Sequence, residues 1–313
     1  MLTCNNLYIQ HIFALKMDIG KWFEVLESMG TPKSFLTGVE SRIVEGSQHS
    51  DLKYFITYNP NRDKRKELME TFQKKLSDRG IEISCHLCYQ LGEENHPLFD
   101  KAYLFQEVPN KYPLLAGHSL LVGRSHNTTG NAPVLITKEI FDEIQRIEAE
   151  QEVNIGRNHV KAGMSIRDHE HFHFLPRRVL KTDRGEFDWE PTSGYELSEF
   201  GEPFYRIKSS PFADLAVKGK SAGSISERLQ RVLTDRQIIY TVNITPELIN
   251  ITIRRESEVS QKNGYGISYG VNFVAQSRQE FEDATRQQLE DKAISVVYLR
   301  EEFDWKPILG EIC

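Results

Sequence analysis

The segment "HEHFHF" (His169–Phe174) places three histidines at every second position, and this spacing constrains the fold more than any other feature of the chain. Side chains of a β-strand alternate between its two faces, so a strand here would carry all three histidines on one surface. Stacked imidazoles bring like-charge and desolvation costs that a structural strand has no reason to accept. Metal ligation and phosphate chemistry are the two functional explanations. We favour phosphate chemistry, because alternate residues of one strand seldom surround an ion.

Composition excludes several classes of protein. The 313 residues are 39% hydrophobic and 27% charged, which is typical of a globular protein. No apolar run approaches the roughly 20 residues that cross a bilayer, and the N-terminal segment lacks the basic start and the cleavage site of a signal peptide. A net charge of −6 argues against broad binding to nucleic acid or to membrane surfaces. Four cysteines do not suggest a disulfide framework in a chain of this length, so we expect a cytoplasmic protein.

The histidines divide the chain into unequal parts. All ten lie within residues 1–173, and residues 174–313 contain none. Any metal or imidazole chemistry therefore belongs to the first half. We expect an N-terminal extension over residues 1–50, a catalytic region over residues 51–190, and a C-terminal α+β region over residues 191–313 that completes the fold.

The patterns of the first half predict an α+β fold in which helices pack on a largely antiparallel sheet. A strand through Phe55 ends at Asn59-Pro60, and "ELMETFQKKLSDRG" follows as a short helix closed by Gly80. "HSLLVGRSH" is typical of a buried strand. "TKEIFDEIQRIEAEQEV" is amphipathic and predicts a helix with Thr137 as its N-cap. Strand, long helix and strand in this order favour a helix that covers a sheet.

The second half is also predicted to be α+β, without comparable chemistry. The region from Val179 to about Gly223 is rich in Gly, Ser, Asp and Pro, so we expect long surface loops there. Strands are predicted at "RQIIYTVNI", "LINITIRR", "SYGVNFVAQ" and "ISVVYLRE", and a helix at "RQEFEDATRQQLEDKA". The glycine cluster "GYGISYG" (Gly264–Gly270) lacks the spacing of a dinucleotide motif and predicts a turn.

Several motifs together resemble the histidine-triad superfamily, in particular its galactose-1-phosphate uridylyltransferase and dinucleoside polyphosphate phosphorylase branch. "HEHFHF" is similar to the triad signature, "CHLC" to the Cys-x-x-Cys of that branch, and "NPNRDKR" to the arginine-bearing segment that precedes it. "YLFQEVPNKYPLL" and "GHSLLVGRSHN" resemble its nucleotide-pocket strand and the strand that follows. The resemblance covers roughly residues 52–178, and the ordered set of motifs is more specific than any one of them.

The resemblance implies nucleotidyl transfer through a covalent intermediate on His171. This histidine would attack the α-phosphate of a nucleoside diphosphate sugar or a dinucleoside polyphosphate, and phosphate or a sugar phosphate would accept the nucleotide. Imidazole suits this role because it is partly neutral near neutral pH and divides one displacement into two easier ones. His173 would contact phosphate oxygens, and Ser165 would help to stabilise the developing negative charge. Related enzymes are often dimers, so the resemblance also implies a homodimer.

Five residues match substrate-binding positions of that branch. Arg62 and Arg65 match the arginines that hold phosphates, for which guanidinium groups are suited. Asn110 and Tyr112 match nucleoside-contacting positions, and Asn158 matches a pocket asparagine. Without the resemblance, the arginines are equally typical of a solvated basic turn, and the pair Asn110 and Tyr112 of a turn residue and a core aromatic.

Cys85 and Cys88 have the spacing by which two thiolates reach one tetrahedral ion. One such pair is half a metal site. The resemblance completes it with His126 and His169, which implies a zinc site beside the nucleophile. His86 and His96 are competing ligands, and His118 is expected to have a packing role.

Three departures from the family's pattern leave the reaction open. One extra residue separates Ser165 from His169, and Glu170 stands where an apolar residue is usual. The third triad position is His173, whereas the transferases carry Gln there. A histidine-triad hydrolase that releases a nucleoside monophosphate is therefore a second hypothesis. A nucleotide-binding module without activity is a third.

Overall fold

The computed structural model describes residues 19–29, 31–44, 54–78, 105–111, 113, 117–126, 135–151, 153–159, 161–162, 169–176, 181–182, 185–186, 194–208, 210–245, 247–256 and 272–312. In this part of the chain, no helix is both long and apolar enough to cross a membrane.

The described residues form seven α-helices and fourteen strands. The helices are α1 (Ile19–Ser28), α2 (Arg65–Ser77), α3 (Lys138–Gln151), α4 (Ala222–Asp235), α5 (Arg278–Asp283), α6 (Arg286–Ile294) and α7 (Lys306–Leu309). The strands are β1 (Glu40–Val44), β2 (Tyr54–Tyr58), β3 (Phe105–Pro109), β4 (Ser119–His126), β5 (Val153–Arg157), β6 (His169–Pro176), β7 (Lys181–Thr182), β8 (Gly185–Glu186), β9 (Tyr195–Leu197), β10 (Phe204–Ile207), β11 (Asp214–Lys218), β12 (Tyr240–Ile244), β13 (Leu248–Ile253) and β14 (Asn272–Ala275).

Nine of these strands form one sheet, in the spatial order β3-β4-β6-β5-β12-β13-β11-β10-β9. Every neighbouring pair in it is antiparallel. The expected α+β fold with a largely antiparallel sheet is therefore confirmed. Strands β1, β2 and β14 form a separate three-stranded sheet, in which β14 runs parallel to β2, and β7 pairs with β8.

The nine-stranded sheet consists of two halves with the same strand order, which meet at the antiparallel pair of β5 and β12. Outward from that pair come β6, β4 and β3 on one side, and β13, β11 and β10 on the other. Each half also has one long helix between its second and third strands along the chain. At the centre, Gly156 of β5 pairs with Asn243 of β12. On their outer sides, Gly156 pairs with His173 of β6, and Asn243 pairs with Asn250 of β13. The second half thus completes the sheet without histidines, as expected.

One face of the sheet packs against α3 and α4 and forms the main hydrophobic core. Phe172 and Phe174 of β6 enter this core beside Ile155 of β5. The two helices approach each other closely at Gly223, the second residue of α4. A Cβ atom at this position would lie 2.6 Å from Oδ1 of Asp142 and 3.1 Å from the carbonyl oxygen of Lys138, both on α3, so a larger residue would require these groups to shift.

A second hydrophobic cluster joins the three-stranded sheet to α5 and α6. Tyr54 of β2, Phe273 of β14 and Leu289 of α6 are buried in it. The guanidinium group of Arg42 on β1 donates to backbone carbonyls at the end of α5. Residues far apart in the sequence therefore form one packed unit here.

Helix α1 covers the edge of the large sheet at β3. Its buried side chains recur at helical spacing, and they include Trp22 and Leu26. Nε1 of Trp22 donates to Oγ of Ser119, the first residue of β4, at 3.1 Å. The role of the segment 1–50 was not predicted, and its helix packs next to the strand pair that precedes the histidine strand.

One prediction for the second half is wrong, and three strands were not predicted. The region 179–223, where long surface loops were expected, also contains β9, β10 and β11, and Leu215 and Val217 of β11 are fully buried. The segment "ISVVYLRE" is not a strand. Helix α6 ends within it, and only isolated bridges at Val297 and Leu299 follow.

The helix predicted at "RQEFEDATRQQLEDKA" is present but divided into α5 and α6. Thr285 starts α6 with a capping box, in which its hydroxyl accepts from the N–H of Gln288. The other predicted strands and helices are confirmed as β2, β4, β6, β12, β13, β14, α2 and α3. Gly80 and Gly264–Gly270 lie outside the described residues, and the division into regions 1–50, 51–190 and 191–313 stays a prediction.

Candidate active site

The histidine strand β6 presents His171 and His173 on the sheet face opposite α3 and α4. Phe172 is fully buried in the core beneath those helices. Alternation along the strand therefore directs His171 and His173 to the other face, as the sequence predicted. His171 is only 2% exposed, so a chemical group that reaches its ring must leave bulk water.

His171 and His173 are neighbours on this face. Their ring centroids lie 5.7 Å apart, and the ring planes are inclined by 68°. Val122 of β4 lies opposite His171, whereas Leu120 and Gly156 flank His173 on its two sides. Because Gly156 has no side chain, no side chain of β5 lies directly beside His173 on this face of the sheet.

A chain of polar side chains runs through His173. Nδ1 of His173 lies 3.1 Å from Nε2 of His118, and the same Nε2 atom lies 3.2 Å from Nδ2 of Asn110. On the other side, Nε2 of His173 lies 3.4 Å from Nδ2 of Asn158. His118 immediately precedes β4 and Asn158 immediately follows β5, so the two strands that flank β6 supply both neighbours of His173.

Two imidazoles of this chain have strongly lowered basicity. Burial, followed by the positive charge of Arg62, lowers the pKa of His118 to about 3. Burial also lowers the pKa of His173 well below its ordinary value, and the neighbouring His118 and His171 act in the same direction. Both rings are therefore neutral near pH 7, and each has one donor and one acceptor nitrogen.

The positive charge of Arg62 contributes to the lowered pKa of His118, so this predicted phosphate-binding residue lies within electrostatic range of His118. The turn that carries Arg62 is held by its own hydrogen bonds. Oδ1 of Asn59 accepts from the N–H of Asn61 at 2.9 Å, and the N–H of Arg62 donates to the Asn59 carbonyl at 3.1 Å. Nδ2 of Asn61 donates to three carbonyls of the loop before β1, at 3.0 to 3.4 Å. These hydrogen bonds hold in place the backbone turn that carries the Arg62 side chain.

Two of the four predicted zinc ligands lie side by side. His126 of β4 is the direct cross-strand partner of His169 of β6. The register between the two strands shifts between Val122 and His126, and this irregularity brings the two histidines opposite each other. Imidazoles at such positions suit a tetrahedral site with two thiolates. Within the described residues, no group of three or more His, Cys, Asp or Glu side chains forms a metal site.

Several predicted site residues lie outside what the structure describes. Ser165, Tyr112, Cys85 and Cys88 are among them, as are the competing ligands His86 and His96. Arg65 is described as the first residue of α2, but its side chain is not described, and the same holds for the side chains of His126 and His169. The predicted roles of these residues stay predictions. The structure does bring together His171, His173, Arg62, Asn110 and Asn158, either by contact or by electrostatic interaction.

His118 is the functional residue that the sequence reasoning missed. It was expected only to pack, and it is indeed buried, but its ring also joins Asn110 to His173. The sequence carried no local signal for this contact. His118 reaches His173 only because β4 pairs with β6, with Leu120, two residues after His118, opposite His173.

The chain shares its fold with solved structures of a nucleotide phosphorylase. These are crystal structures of yeast Ap4A phosphorylase Apa2. The complex with AMP has a TM-score of 0.61 and 15% identity, and the match covers 90% of this chain and 95% of that one. The complex with Ap4A has a TM-score of 0.62 and 15% identity over 91% and 98%. A further Apa2 structure has a TM-score of 0.58 and 16% identity over 90% and 96%.

No protein-family model and no curated protein sequence matches the chain. At about 15% identity, the structural similarity therefore establishes the fold, and the function has to be argued from the site. The similarity extends over both halves of the nine-stranded sheet, since it covers nine-tenths of the chain.

Proposed function

We propose that the chain is a nucleotidyltransferase or phosphorylase that acts on a nucleotide phosphoanhydride through His171. The observation that carries this proposal is a histidine face, formed by His171 and His173 with Arg62 nearby, on a sheet with the fold of Ap4A phosphorylase. Two of the similar Apa2 structures hold AMP and Ap4A, so a dinucleoside polyphosphate is the first substrate to test. A nucleoside diphosphate sugar has the same anhydride group and is the second.

The reaction has two displacements at one phosphorus atom. A ring nitrogen of His171 attacks the α-phosphorus of Ap4A, the bond from that phosphorus to the bridging oxygen breaks, and ATP leaves. The enzyme then holds AMP on the imidazole. An oxygen of inorganic phosphate attacks the same phosphorus, the N–P bond breaks, and ADP is released with the imidazole restored. Arg62 would offset negative charge on the phosphate oxygens during both steps.

The burial of His171 supports transfer over hydrolysis. An adduct on a ring that is only 2% exposed is shielded from bulk water, so a bound acceptor has an advantage over a solvent molecule. Asn158 provides a further feature. Its Oδ1 atom is buried and has no hydrogen-bond partner among the described residues, so it can accept from a donor group of the substrate.

We also infer a structural Zn²⁺ site formed by Cys85, Cys88, His126 and His169. The cross-strand pairing of His126 and His169 supports this inference, because the two residues are backbone neighbours at one end of the β4–β6 pair. The ion would tie the cysteine segment to the histidine strand and would take no part in the displacements. A reducing cytoplasm would keep both thiols available, and a homodimer stays an inference from the resemblance.

The decisive experiment is intact mass spectrometry after incubation with Ap4A, with and without phosphate. We expect an added AMP on the wild-type protein in the absence of phosphate, and its release as ADP when phosphate is supplied. His171→Ala should form no adduct. Gln287, an exposed residue of α6, offers a control variant, Gln287→Ala, which should behave as wild type.

The products separate the three hypotheses. AMP and ATP formed without phosphate would identify a hydrolase. Binding of Ap4A without turnover or adduct would identify a nucleotide-binding module. Turnover that is unchanged in His171→Ala would exclude the proposed nucleophile.

A further inference from the structure

We propose that Asn243 and Asn250 bind hydroxyl groups of a sugar in the part of the substrate that leaves when His171 attacks. This sugar is the second ribose of a dinucleoside polyphosphate or the hexose of a nucleoside diphosphate sugar. The inference deepens the function proposed above by naming residues that recognise the leaving group. It rests on that function for the direction in which the substrate lies.

Both asparagines lie on the same face of the sheet as the histidines. Asn243 belongs to β12 and Asn250 to β13, and the chain neighbours of each are valine or isoleucine side chains buried in the main core beneath α3 and α4. Alternation along the two strands therefore directs both amide groups to the opposite face, which carries His171 and His173. The second half of the chain thus contributes polar side chains to the histidine face.

The register of the sheet places the asparagines in one row with His173. His173 pairs with Gly156, Gly156 with Asn243, and Asn243 with Asn250. Adjacent strands lie about 4.8 Å apart, so the backbone of Asn243 is roughly 10 Å and that of Asn250 roughly 14 Å from His173. Gly156 has no side chain, so no side chain of this row stands between the imidazole and Asn243. A ligand that contacts His173 can extend along the row to both amides.

The two amides have buried atoms without hydrogen bonds. Asn243 is 4% and Asn250 0% exposed, and Nδ2 of Asn243 and Oδ1 of Asn250 have no hydrogen-bond partner within the described part of the chain. Burying an amide group without a partner costs free energy, and a valine at either position would avoid that cost. A ligand that pairs with these atoms explains the amides. His171 is itself 2% exposed, so burial does not set the asparagines apart from the reacting group.

The surroundings favour a sugar over a phosphate or a base. Ala216 follows Asn250 in the row, and Thr241 and Thr252 pair with each other in the next row of the same face. These small, uncharged side chains supply neither positive charge for a phosphate nor a ring on which a base could stack. The carboxyl group of Asp214, opposite Thr252, further disfavours an anion. Sugar hydroxyls both donate and accept, so they fit the unpaired amide ends whichever way each amide is turned.

The side of the sheet on which the asparagines lie agrees with a leaving group. Asn110, which matches a nucleoside-contacting position, follows β3 and contacts His118 just before β4. Strands β3 and β4 lie on one side of β6, whereas β12 and β13 lie on the other. A nucleoside held near Asn110 therefore leaves the direction of Asn243 and Asn250 for the part of the substrate beyond the attacked phosphorus.

The test is equilibrium binding to a His171→Ala parent protein, in which no transfer can occur. Ap4A is compared with adenosine tetraphosphate, which lacks the second nucleoside, and ADP-glucose is compared with ADP. We expect Asn243→Leu and Asn250→Leu each to weaken binding of Ap4A or ADP-glucose about tenfold, and binding of the truncated ligand less than threefold, as the loss of about one hydrogen bond requires. A loss with Ap4A identifies a ribose, and a loss with ADP-glucose identifies a hexose.

Three outcomes would overturn the proposal. The first is a parent protein that binds neither full ligand more tightly than its truncated form. The second is an equal loss, or no loss, for the full and the truncated ligands in the asparagine variants. The third applies if the loss is seen with Ap4A, and it is an undiminished loss with the analogue that carries 2′,3′-dideoxyribose at both ends, because the base would then be the group recognised.

Stability separates ligand binding from a structural role. Leucine has a shape similar to that of asparagine and removes the unpaired amide, so Asn250→Leu should resist urea at least as well as the parent protein. A residue with a structural role would lower stability and weaken all ligands equally. Ile251→Val, at the next residue and on the opposite face, is the matched control. It should lower stability slightly and leave the ratio of the two affinities unchanged. Asn250→Ala replaces Asn250→Leu if the latter does not fold.

The outcome for the proposed function is read separately. If the wild-type protein forms no nucleotidyl adduct but the asparagines still discriminate between full and truncated ligands, the transfer reaction fails and the sugar site stands. If the adduct forms and discrimination does not depend on Asn243 or Asn250, the sugar site fails and the reaction stands.

Discussion

Asp214, the first residue of β11, should make the stability of this protein depend on pH near neutrality. Its side chain is completely buried, and within the described part of the chain no donor makes a hydrogen bond of good geometry to either carboxylate oxygen, although Ser210 and the backbone of Ile207 lie near it. Burial raises the pKa of Asp214 from 3.8 to about 7, which outweighs the opposing effects of Ser210, Arg300 and Arg206. The folded state therefore prefers the protonated carboxyl, whereas the unfolded state ionises at much lower pH.

The sign and size of the effect follow from these two pKa values. Because the folded-state pKa is the higher one, the stabilisation is complete below pH 3.8 and is lost as the pH rises to about 7. One pKa unit corresponds to about 1.4 kcal/mol. The difference between the two pKa values therefore lowers the free energy of unfolding by about 4 kcal/mol in total as the pH rises from below 3.8 to above 7. Between pH 5 and pH 8 the loss is about 2 to 3 kcal/mol. Asn is a neutral group of the same shape and does not undergo this loss.

The assay compares Asp214→Asn with the wild type by urea unfolding at pH 5 and pH 8. Taking the difference between the two proteins removes the titration of all other groups. We expect the free energy of unfolding of Asp214→Asn, minus that of the wild type, to rise by about 2 to 3 kcal/mol between pH 5 and pH 8. Asp235→Asn, at an exposed position at the end of α4, controls for the loss of a negative charge. A difference that stays constant, or that falls as the pH rises, would show that the arginines hold Asp214 ionised and would refute the reasoning.

Two further predictions concern the packing behind the histidine strand. Gly223→Ala should lower the free energy of unfolding by about 1 to 3 kcal/mol, because the new Cβ would lie 2.6 Å from Oδ1 of Asp142 and 3.1 Å from a backbone carbonyl of α3. Gly310→Ala is its control in the same assay, since its nearest contact would be an ordinary 3.4 Å. Phe172→Ala should cost about 3 to 5 kcal/mol in the same unfolding measurement and Phe172→Leu clearly less, and equal costs would contradict a core role.

The histidine strand was predictable because its information is local. Alternation alone assigns Phe172 to the core and His171 to the opposite face, and no distant residue is needed to reach that result. The amphipathic helix α3 was predictable for the same reason, since Phe141 and Ile144 lie on one side of it and are both buried. Such patterns depend only on the period of the element.

The errors arose where the partner of a segment lies far along the chain. Strand β11 is five residues long, and its pairing partner β13 begins thirty residues after β11 ends. Glycine, proline and serine around it are typical of loops, and the buried Leu215 gains its environment only from the assembled sheet. The opposite error at Val297 has the same origin. Its β-branched sequence favours a strand, but the chain there makes only isolated bridges, from Val297 to Arg254 and from Leu299 to Phe212.

The contacts of His118 were also beyond sequence reasoning. Asn110 and His173 are 8 and 55 residues away from it, and only the pairing of β3, β4 and β6 brings the three side chains together. The sequence names the residues of the site one at a time. The order of hydrogen bonds among them is a property of the sheet.

The duplicated strand order of the sheet explains why the proposed chemistry would be confined to one half. The two halves can be compared by counting strands outward from the central pair of β5 and β12. His173 of β6 then corresponds to Asn250 of β13, and His118, just before β4, corresponds to Asp214 of β11. Both halves therefore bury polar groups at the same two places, so the frame tolerates them there. An aspartate and an asparagine cannot form a covalent nucleotidyl-imidazole, whereas the first half adds His171 at the neighbouring position of the same face. The fold supplies two equivalent surfaces, and under the proposed function the identity of three side chains decides which of them would react with phosphorus.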